Sequence, residues 1–404
     1  MAQNVAFVVA LVSLPFVFES RPSISSSTNQ ILFFEDANGP NTATVRVVVA
    51  DLEFQFVAHI DDHYKTIDPG DFRLPNPYRL SERSDIVPLL EADLKNATGH
   101  RQAIVYMLST VMLPYIDHPK AADLFVRLPE FYKEGNWVCM LFLDAKPEDA
   151  TSPPAWLRHT GDKAVLASIL KAIDREDGAG AGRTTYSLNL LATTNATAAQ
   201  HRLRGWFEKH KEHWASGVAN TISCGLYPMT SKHWKYLVSE ILPHLAHDHS
   251  MNENRYESLS VWGKFCTCEA DRFIDGFSWD QIRPLAEVYL SNLFADPQFD
   301  KIISGWTDPT TKIEEKDLLW RYDNYENLLT ISTCFGTRDQ IKSFEQALAH
   351  YEGLLSRKET PAMWPLGRGG ATSGPAYDDA IASFRELKKA ALVAMETRAS
   401  NLPR

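Results

Sequence analysis

The residues best suited to chemistry lie in the basic and aromatic segment His201–Lys211, which reads His-Arg-Leu-Arg-Gly-Trp-Phe-Glu-Lys-His-Lys. Four of its side chains are cationic: Arg202, Arg204, Lys209 and Lys211. Glu208 is the one acidic residue within the segment. The whole chain has a formal net charge of -10, so it has no general attraction for phosphates, and a polyanion site must be built locally. The segment therefore predicts a local contact with nucleic-acid phosphates.

Three further basic residues extend this candidate site. Lys232 and Lys235 lie on the next predicted helix, one turn apart, and could line a groove together with the basic segment. Arg183 ends the glycine-rich stretch Asp177–Arg183, which lacks the Gly-Lys-Ser/Thr ending of a phosphate loop and follows a helix rather than a strand. We interpret that stretch as a loop whose final arginine can reach a phosphate. The alternative interpretation of each basic residue is a solvated helix face.

Two histidine clusters could bind a metal ion. In the segment His59–His63, a strand would place His59, Asp61 and His63 on one face, where imidazole and carboxylate groups can act as ligands. The second cluster contains His244, His247 and His249, but it lacks the glutamate of the helical zinc motif His-Glu-x-x-His. A solvated strand end and a polar helix C-terminus, where histidine suits the helix dipole, are the better interpretations of the two clusters. We therefore expect no metal ion and no cofactor.

The cysteines and the remaining motifs argue against an enzyme. The chain has five cysteines, and an odd number with the single tight pair Cys266-Thr-Cys268 is not a disulfide framework. Reduced, intracellular cysteines are the better interpretation. The sequence contains no Gly-x-Ser-x-Gly nucleophile motif, and each candidate constellation lacks at least one catalytic role. We predict a protein that is not an enzyme. A cytosolic metal-dependent enzyme using either histidine cluster stays open as an alternative.

The elements that must position these residues are predominantly helical. Apolar residues recur with helical spacing in the following segments: Ser84–Leu94, His100–Tyr115, Pro119–Leu128, Lys163–Ile173, Ala198–His213, Ser231–His244, Glu257–Phe273, Trp279–Phe294, Leu318–Leu329, Arg338–Leu355 and Tyr377–Arg398. Extended structure is predicted for Val5–Phe18, Ile31–Phe34, Arg46–Phe56 and Trp137–Leu143. The chain of 404 residues is thus predicted to be mainly α, with a small β element near its N-terminus.

The ends of the chain have the character of interaction arms. Val5–Phe18 is apolar, has no Lys or Arg before it, and is too short to span a bilayer, so we expect it to dock on an apolar surface. Gly305–Lys312 is the best internal hinge, and the glycine-rich segment Pro361–Pro375 predicts a flexible joint before the last helix. The predicted domains are an N-terminal arm (1–30), an N-terminal lobe (31–305), a C-terminal lobe (306–365) and a C-terminal arm (366–404).

Four segments together resemble the nucleoproteins of nonsegmented negative-strand RNA viruses. Gly99–Leu108 is similar to the long buried helix of the family's N-terminal lobe, and Ala198–Lys211 resembles its basic helix. Asp296–Ile303 looks like the segment before the inter-lobe hinge, and Tyr377–Lys388 resembles the late helix. The four segments occur in the family's order and cover about a seventh of the chain.

The resemblance implies two helical lobes with single-stranded RNA in a basic cleft and terminal arms exchanged between neighbouring subunits. It implies a homo-oligomer in the virion and the host cytoplasm, with viral polymerase-associated proteins as further partners and no membrane. The first alternative is an icosahedral capsid protein of a double-stranded RNA virus. Such a coat would also be helical, acidic and self-assembling, but it would make few direct RNA contacts.

Overall fold

The fold is mainly helical. The computed structural model describes residues 31–39, 42–59, 80–131, 154–177, 185–222, 227–247, 253–267, 270–297, 299, 325, 327–356 and 375–400. Helices contain 79% of these residues, and a three-stranded sheet lies near the start of the chain. The predicted fold class, mainly α with a small β element near the N-terminus, is confirmed. The two lobes and the exchanged terminal arms stay predictions.

The sheet is antiparallel and is formed by β1 (Ile31–Gly39), β2 (Thr42–Val49) and β3 (Leu52–His59) in that order. Ala50 and the following residue connect β2 to β3, and Ala50 has a left-handed backbone with a φ of 55°. The prediction of one strand over Arg46–Phe56 is therefore wrong. Glycine or asparagine usually occurs in such a tight turn, and neither is present here. The sequence therefore reads as one continuous strand and does not indicate the hairpin.

The described residues form two compact units, and both are discontinuous in sequence. The first takes its residues from Met1–Gly178, Thr193–Arg202 and Gly225–Tyr227, and the second from Ala179–Ala192, Leu203–Cys224 and Pro228–Arg404. The predicted domain boundaries near residues 30, 305 and 365 lie outside the described residues, and so do the expected hinge at Gly305–Lys312 and the joint at 361–374. Those boundaries stay predictions.

The first unit contains the sheet and the helices α1 (Val87–Asn96), α2 (Gly99–Met112), α3 (Pro119–Arg127) and α4 (Lys163–Asp177). Of these helices, α1 contacts β1. Helix α3 begins at Pro119, whose fixed φ suits a first helical position, and the His118 side chain accepts a hydrogen bond from the Lys120 N–H at 3.1 Å. It packs on α1 and α4, and Phe125 lies 5.2 Å from the Trp156 ring in the core.

The second unit contains most of the remaining helices. They are α5 (Thr185–Ala192), α6 (Thr197–Lys209, from Leu203 onward), α7 (Trp214–Thr221), α8 (Ser231–Tyr236), α9 (Leu242–His247), α10 (Glu253–Thr267), α11 (Ala270–Phe273), α12 (Trp279–Ala295), α13 (Ile341–Ser356) and α14 (Pro375–Glu396). A π-helical turn, Leu237–Ile241, joins α8 to α9, and residues 327–335 are also helical. Helix α7 packs on α5 and α10, α12 packs on α9 and α13, and α13 packs on α14.

Most predicted helices are confirmed, with ends shifted by a few residues. Helices α5 and α7 were not predicted, because each has only eight residues, so its apolar spacing extends over about two helical turns. The predicted strands Val5–Phe18 and Trp137–Leu143 lie outside the described residues. Across the part of the chain that the structure describes, no helix is both long enough and apolar enough to cross a membrane.

Candidate nucleic-acid interface

The basic segment lies on α6 and on the turn after it. Leu203, Trp206 and Phe207 are buried at helical spacing, so this face anchors the helix, and His210, directly after the helix, is also buried. The opposite positions carry the polar residues. Arg204 and Lys209 are exposed on α6. The predicted helix Ala198–His213 ends earlier than expected, at Lys209. Lys211 is exposed on the separate 3-10 turn Lys211–His213.

Arg202 forms an ion pair with Asp174 inside the first unit. Both side chains are substantially exposed, at 38% and 66%. An exposed pair of this kind contributes little to stability, so a phosphate could displace the carboxylate at small cost. A carboxylate of the same unit therefore already binds Arg202.

Arg204 is held by an aromatic ring of the second unit. Its guanidinium carbon lies 4.8 Å from the centroid of the Tyr236 ring, which is a cation–π contact. Phe207, one turn further along α6, packs against the same ring at 6.0 Å. This packing between α6 and α8 fixes the stem of Arg204 and leaves the residue exposed. The guanidinium is thus positioned by the fold, with its hydrogen-bond donors at the surface.

Lys232 and Lys235 lie beside this contact on α8. The helix begins after Thr230, whose hydroxyl accepts a hydrogen bond from the His233 N–H at 3.4 Å. Both lysines are exposed, and Lys232 lies one turn before Tyr236 on the same side of the helix. The structure therefore brings Arg204 to the helix that carries the two lysines. We call Arg204, Lys232, Lys235 and Tyr236 the α8 cluster.

Two carboxylates reduce the positive charge of the α8 cluster. Burial raises the pKa of Tyr236, and the nearby charges of Glu208 and Glu240 raise it further, while Arg204 acts in the opposite direction. These electrostatic effects place both glutamates near the Tyr236 hydroxyl. The surface therefore carries mixed charge, and an anion is attracted mainly by the side that Arg204 and the lysines occupy.

His233 is fully buried under the α8 cluster. Its neighbours are the rings of Phe207, at 6.1 Å, and Tyr236, at 6.3 Å. Among the described residues, neither ring nitrogen has a hydrogen-bond partner. Burial lowers the pKa of His233 to about 3, and the positive charge of Arg204 adds to this effect. The imidazole is therefore neutral at physiological pH and adds no charge to the surface.

The other candidate sites are only partly described. Arg183 and the glycine stretch before it, 178–182, lie outside the described residues. His59 ends β3, and Asp61, Asp62 and His63 also lie outside the described residues.

The histidines of the second cluster contact different groups. His244 contacts the Trp214 ring at 4.9 Å, His247 Nδ1 lies 2.8 Å from the Pro243 carbonyl, and His249 is outside the described residues. Within the described ranges, no group of three His, Cys, Asp or Glu side chains could hold a metal ion.

Sequence reasoning missed Tyr236 and His233 as members of the site. Tyr236 follows Lys232 by one helical turn, so the sequence alone predicts an aromatic side chain next to a lysine. The partner of its ring was not visible, because contact with Arg204 depends on how α6 packs against α8.

No known protein family matches the chain, and neither the curated proteins nor the solved structures include a significant match.

Proposed function

We propose that this protein binds single-stranded RNA through its phosphates and assembles with itself around the RNA, as a viral nucleoprotein does. The observation that supports this proposal is the α8 cluster, in which Arg204 lies on the Tyr236 ring beside Lys232 and Lys235. Arg183, Arg202, Lys209 and Lys211 are proposed as additional contacts. Binding takes place in the virion and in the host cytoplasm.

The chemistry of the α8 cluster suits a phosphodiester. A guanidinium offers paired donors to two phosphate oxygens, whereas each lysine supplies a point charge that tolerates different backbone geometries. The Tyr236 ring holds Arg204 in place, so less side-chain entropy is lost when a phosphate binds. Contacts of this type position a strand and do not read its bases, so RNA of any sequence is bound equally well.

Self-assembly raises the RNA affinity above that of a single α8 cluster. Glu208 and Glu240 lie close to Tyr236, so one subunit alone has a modest affinity for RNA. Subunits linked through the arms 1–30 and 366–404 place many such clusters along one strand, and this multivalency raises the overall affinity. Polymerase-associated proteins of the virus are proposed to bind the assembled particle.

RNA affinity and its salt dependence test this proposal. We expect the variant R204A/K232A/K235A to bind fluorescently labelled oligouridine and mixed-sequence RNA more weakly, by the same factor for both. The slope of log affinity against log salt should fall by about 2, since each lost contact with single-stranded RNA removes roughly 0.7. Fluorescence anisotropy across a salt series measures both quantities.

A charge-matched control separates a local site from general electrostatics. Lys120, Lys163 and Lys342 are exposed and lie outside the proposed arms, and the variant K120A/K163A/K342A changes the net charge by the same amount. The control should bind RNA as the parent protein does. If the two variants bind equally, the α8 cluster is an ordinary solvated surface and the proposed RNA site is wrong.

A second candidate function is an icosahedral coat protein of a double-stranded RNA virus. The net charge of -10, the glutamates beside Tyr236 and the Arg202–Asp174 ion pair favour a shell with few direct RNA contacts. Electron microscopy of the purified protein distinguishes the two: filaments or rings with bound RNA support the nucleoprotein, and closed shells support the coat.

A further inference from the structure

Trp279, the first residue of α12, is a large aromatic side chain that the fold leaves at the surface. Among the described residues, Trp279 and Val393 are the large hydrophobic side chains that stay exposed, and Trp279 is 37% exposed. Phe277 packs edge-on against the indole, with 4.9 Å between the ring centroids, and Phe335 lies 5.9 Å away. The indole is therefore held in place by two rings of the second unit, while part of its surface is open to a ligand.

Arg283 lies beside this exposed ring. It follows Trp279 by one turn of α12, so the two residues share one face of the helix. Two turns after Trp279, the Gln340 amide donates a hydrogen bond of 3.2 Å to the Glu287 carbonyl oxygen. Both ends of this face therefore contact residues 335–340, and Arg283 lies between the two contacts.

Arg398 brings a second positive charge to the same place. Its guanidinium donates hydrogen bonds of 2.9 Å to the carbonyl oxygens of Thr333 and Gly336, on either side of the ring that supports the exposed indole. Burial lowers the pKa of Arg398 and the charge of Arg283 lowers it further, although Glu287 acts in the opposite direction. Among the described residues, no carboxylate forms an ion pair with Arg283. An exposed aromatic ring and positive charge therefore occur together.

We propose that Trp279, Arg283 and Arg398 bind one nucleotide of single-stranded RNA, with the base stacked on the indole and the phosphate on the guanidinium groups. Side chains one helical turn apart have Cβ atoms about 5–6 Å apart, so a single nucleotide can contact both the ring and Arg283. Stacking accepts every base, because each base has a π face. This inference rests on the proposed function and adds a second RNA contact to the unit that carries the α8 cluster.

Photocrosslinking of the full-length protein tests the stacking contact. The probe is an oligouridine in which one base is 5-iodouracil, which on irradiation forms a covalent bond with an aromatic side chain that it contacts. Mass spectrometry of the digested complex should find the nucleotide attached to Trp279. Crosslinks at other residues, with none at Trp279, would overturn the proposal.

A single nucleotide separates this inference from the proposed function. Binding of 5-iodouridine monophosphate requires neither assembly nor the α8 cluster, so this probe should label Trp279 in the parent protein and in R204A/K232A/K235A. If the protein binds no RNA and the mononucleotide still labels Trp279, the proposed function is wrong and the nucleotide site stands. If the protein binds RNA and neither probe labels Trp279, the proposed function stands and the nucleotide site is wrong.

Substitutions measure what the ring and the charge contribute. Trp279→Leu keeps an apolar side chain that cannot stack, so the affinity for oligouridine should fall about fivefold or more, whereas Trp279→Phe should retain most of it. Arg283→Ala should lower the slope of log affinity against log salt by about 0.7. Fluorescence anisotropy measures both effects, and circular dichroism checks that the variants are folded. Equal affinity in folded Trp279→Leu and in the parent protein contradicts the stacking contact; if Trp279→Leu does not fold, the crosslinks of the parent protein decide.

Discussion

Two arginines, one in each unit, are held in different ways. In the first unit, Arg127 lies among Glu91, Asp123 and Glu130, and its nearest carboxylate oxygen, on Glu91, is 3.2 Å away. Its guanidinium also lies 5.5 Å from the Phe131 ring, but the three carboxylates surround it. In the second unit, Arg204 rests on an aromatic ring, and His233 is buried beneath it. A cation that is enclosed by carboxylates stabilises the fold, because its charge is neutralised locally. A cation held by a ring keeps its charge and can act on a ligand.

The largest expected effect concerns His233 and pH. An unfolded histidine takes up a proton near pH 6.5, whereas folded His233 does so only near its pKa of about 3. Stability is therefore greatest above pH 6.5 and falls as the pH decreases towards 3, by about 2 kcal/mol at pH 5. In His233→Phe, the loss of stability that comes from protonation of this histidine should disappear. In His201→Phe, which changes an exposed histidine, the same loss should persist. Urea unfolding between pH 7 and pH 5 measures the difference.

If His233→Phe and the parent protein lose the same stability between pH 7 and pH 5, His233 is not buried in its neutral form. The contrast between the two units would then rest on the arginines alone.

The next effect is a loss of stability in Arg127→Ala. The substitution leaves three partly buried carboxylates close together without their shared cation, so the free energy of unfolding should fall by about 2 kcal/mol. The control Arg46→Ala removes an exposed ion pair with Glu53, in which the two atoms lie 3.8 Å apart, and should change stability by less than about 0.5 kcal/mol. Urea unfolding at pH 7 compares the two, and RNA affinity should be unchanged in both.

The smallest effect on stability is expected for Arg204→Ala. An exposed cation–π contact contributes about 0.5 to 1 kcal/mol, so the protein should stay folded. RNA affinity should nevertheless fall, and by a smaller factor than in R204A/K232A/K235A. Arg204→Lys should retain part of the affinity, because it keeps the charge without the paired donors. A large loss of stability in Arg204→Ala would place Arg204 with Arg127, as a residue that serves the fold.

Periodicity in the sequence predicted the long helices because their apolar spacing is strong. The amphipathic helices α4 and α13 are the clearest examples. It failed at Ala50, where a hairpin turn has no glycine or asparagine, and at α7, a helix of only eight mostly small residues. Local sequence determines helix formation, but these two features depend on strand pairing and on tertiary packing.

The candidate site was predicted in part. The exposure of Arg204, Lys209, Lys211, Lys232 and Lys235 follows from their positions opposite apolar faces. The ring beneath Arg204 could not be predicted, because the contact joins helices that are separated in sequence. Only the packing of those helices brings the two side chains together.

The hydrogen bonds from Arg398 to Thr333 and Gly336 have a consequence for the timing of folding during synthesis. A ribosome adds about 5–20 residues per second. Several seconds therefore pass between the synthesis of residues 327–335 and the synthesis of Arg398, which caps the end of this helix. By contrast, the last residue that belongs to the first unit is Tyr227. The first unit can therefore finish folding while the second is still being synthesised, and the second can close only after Arg398 has been added.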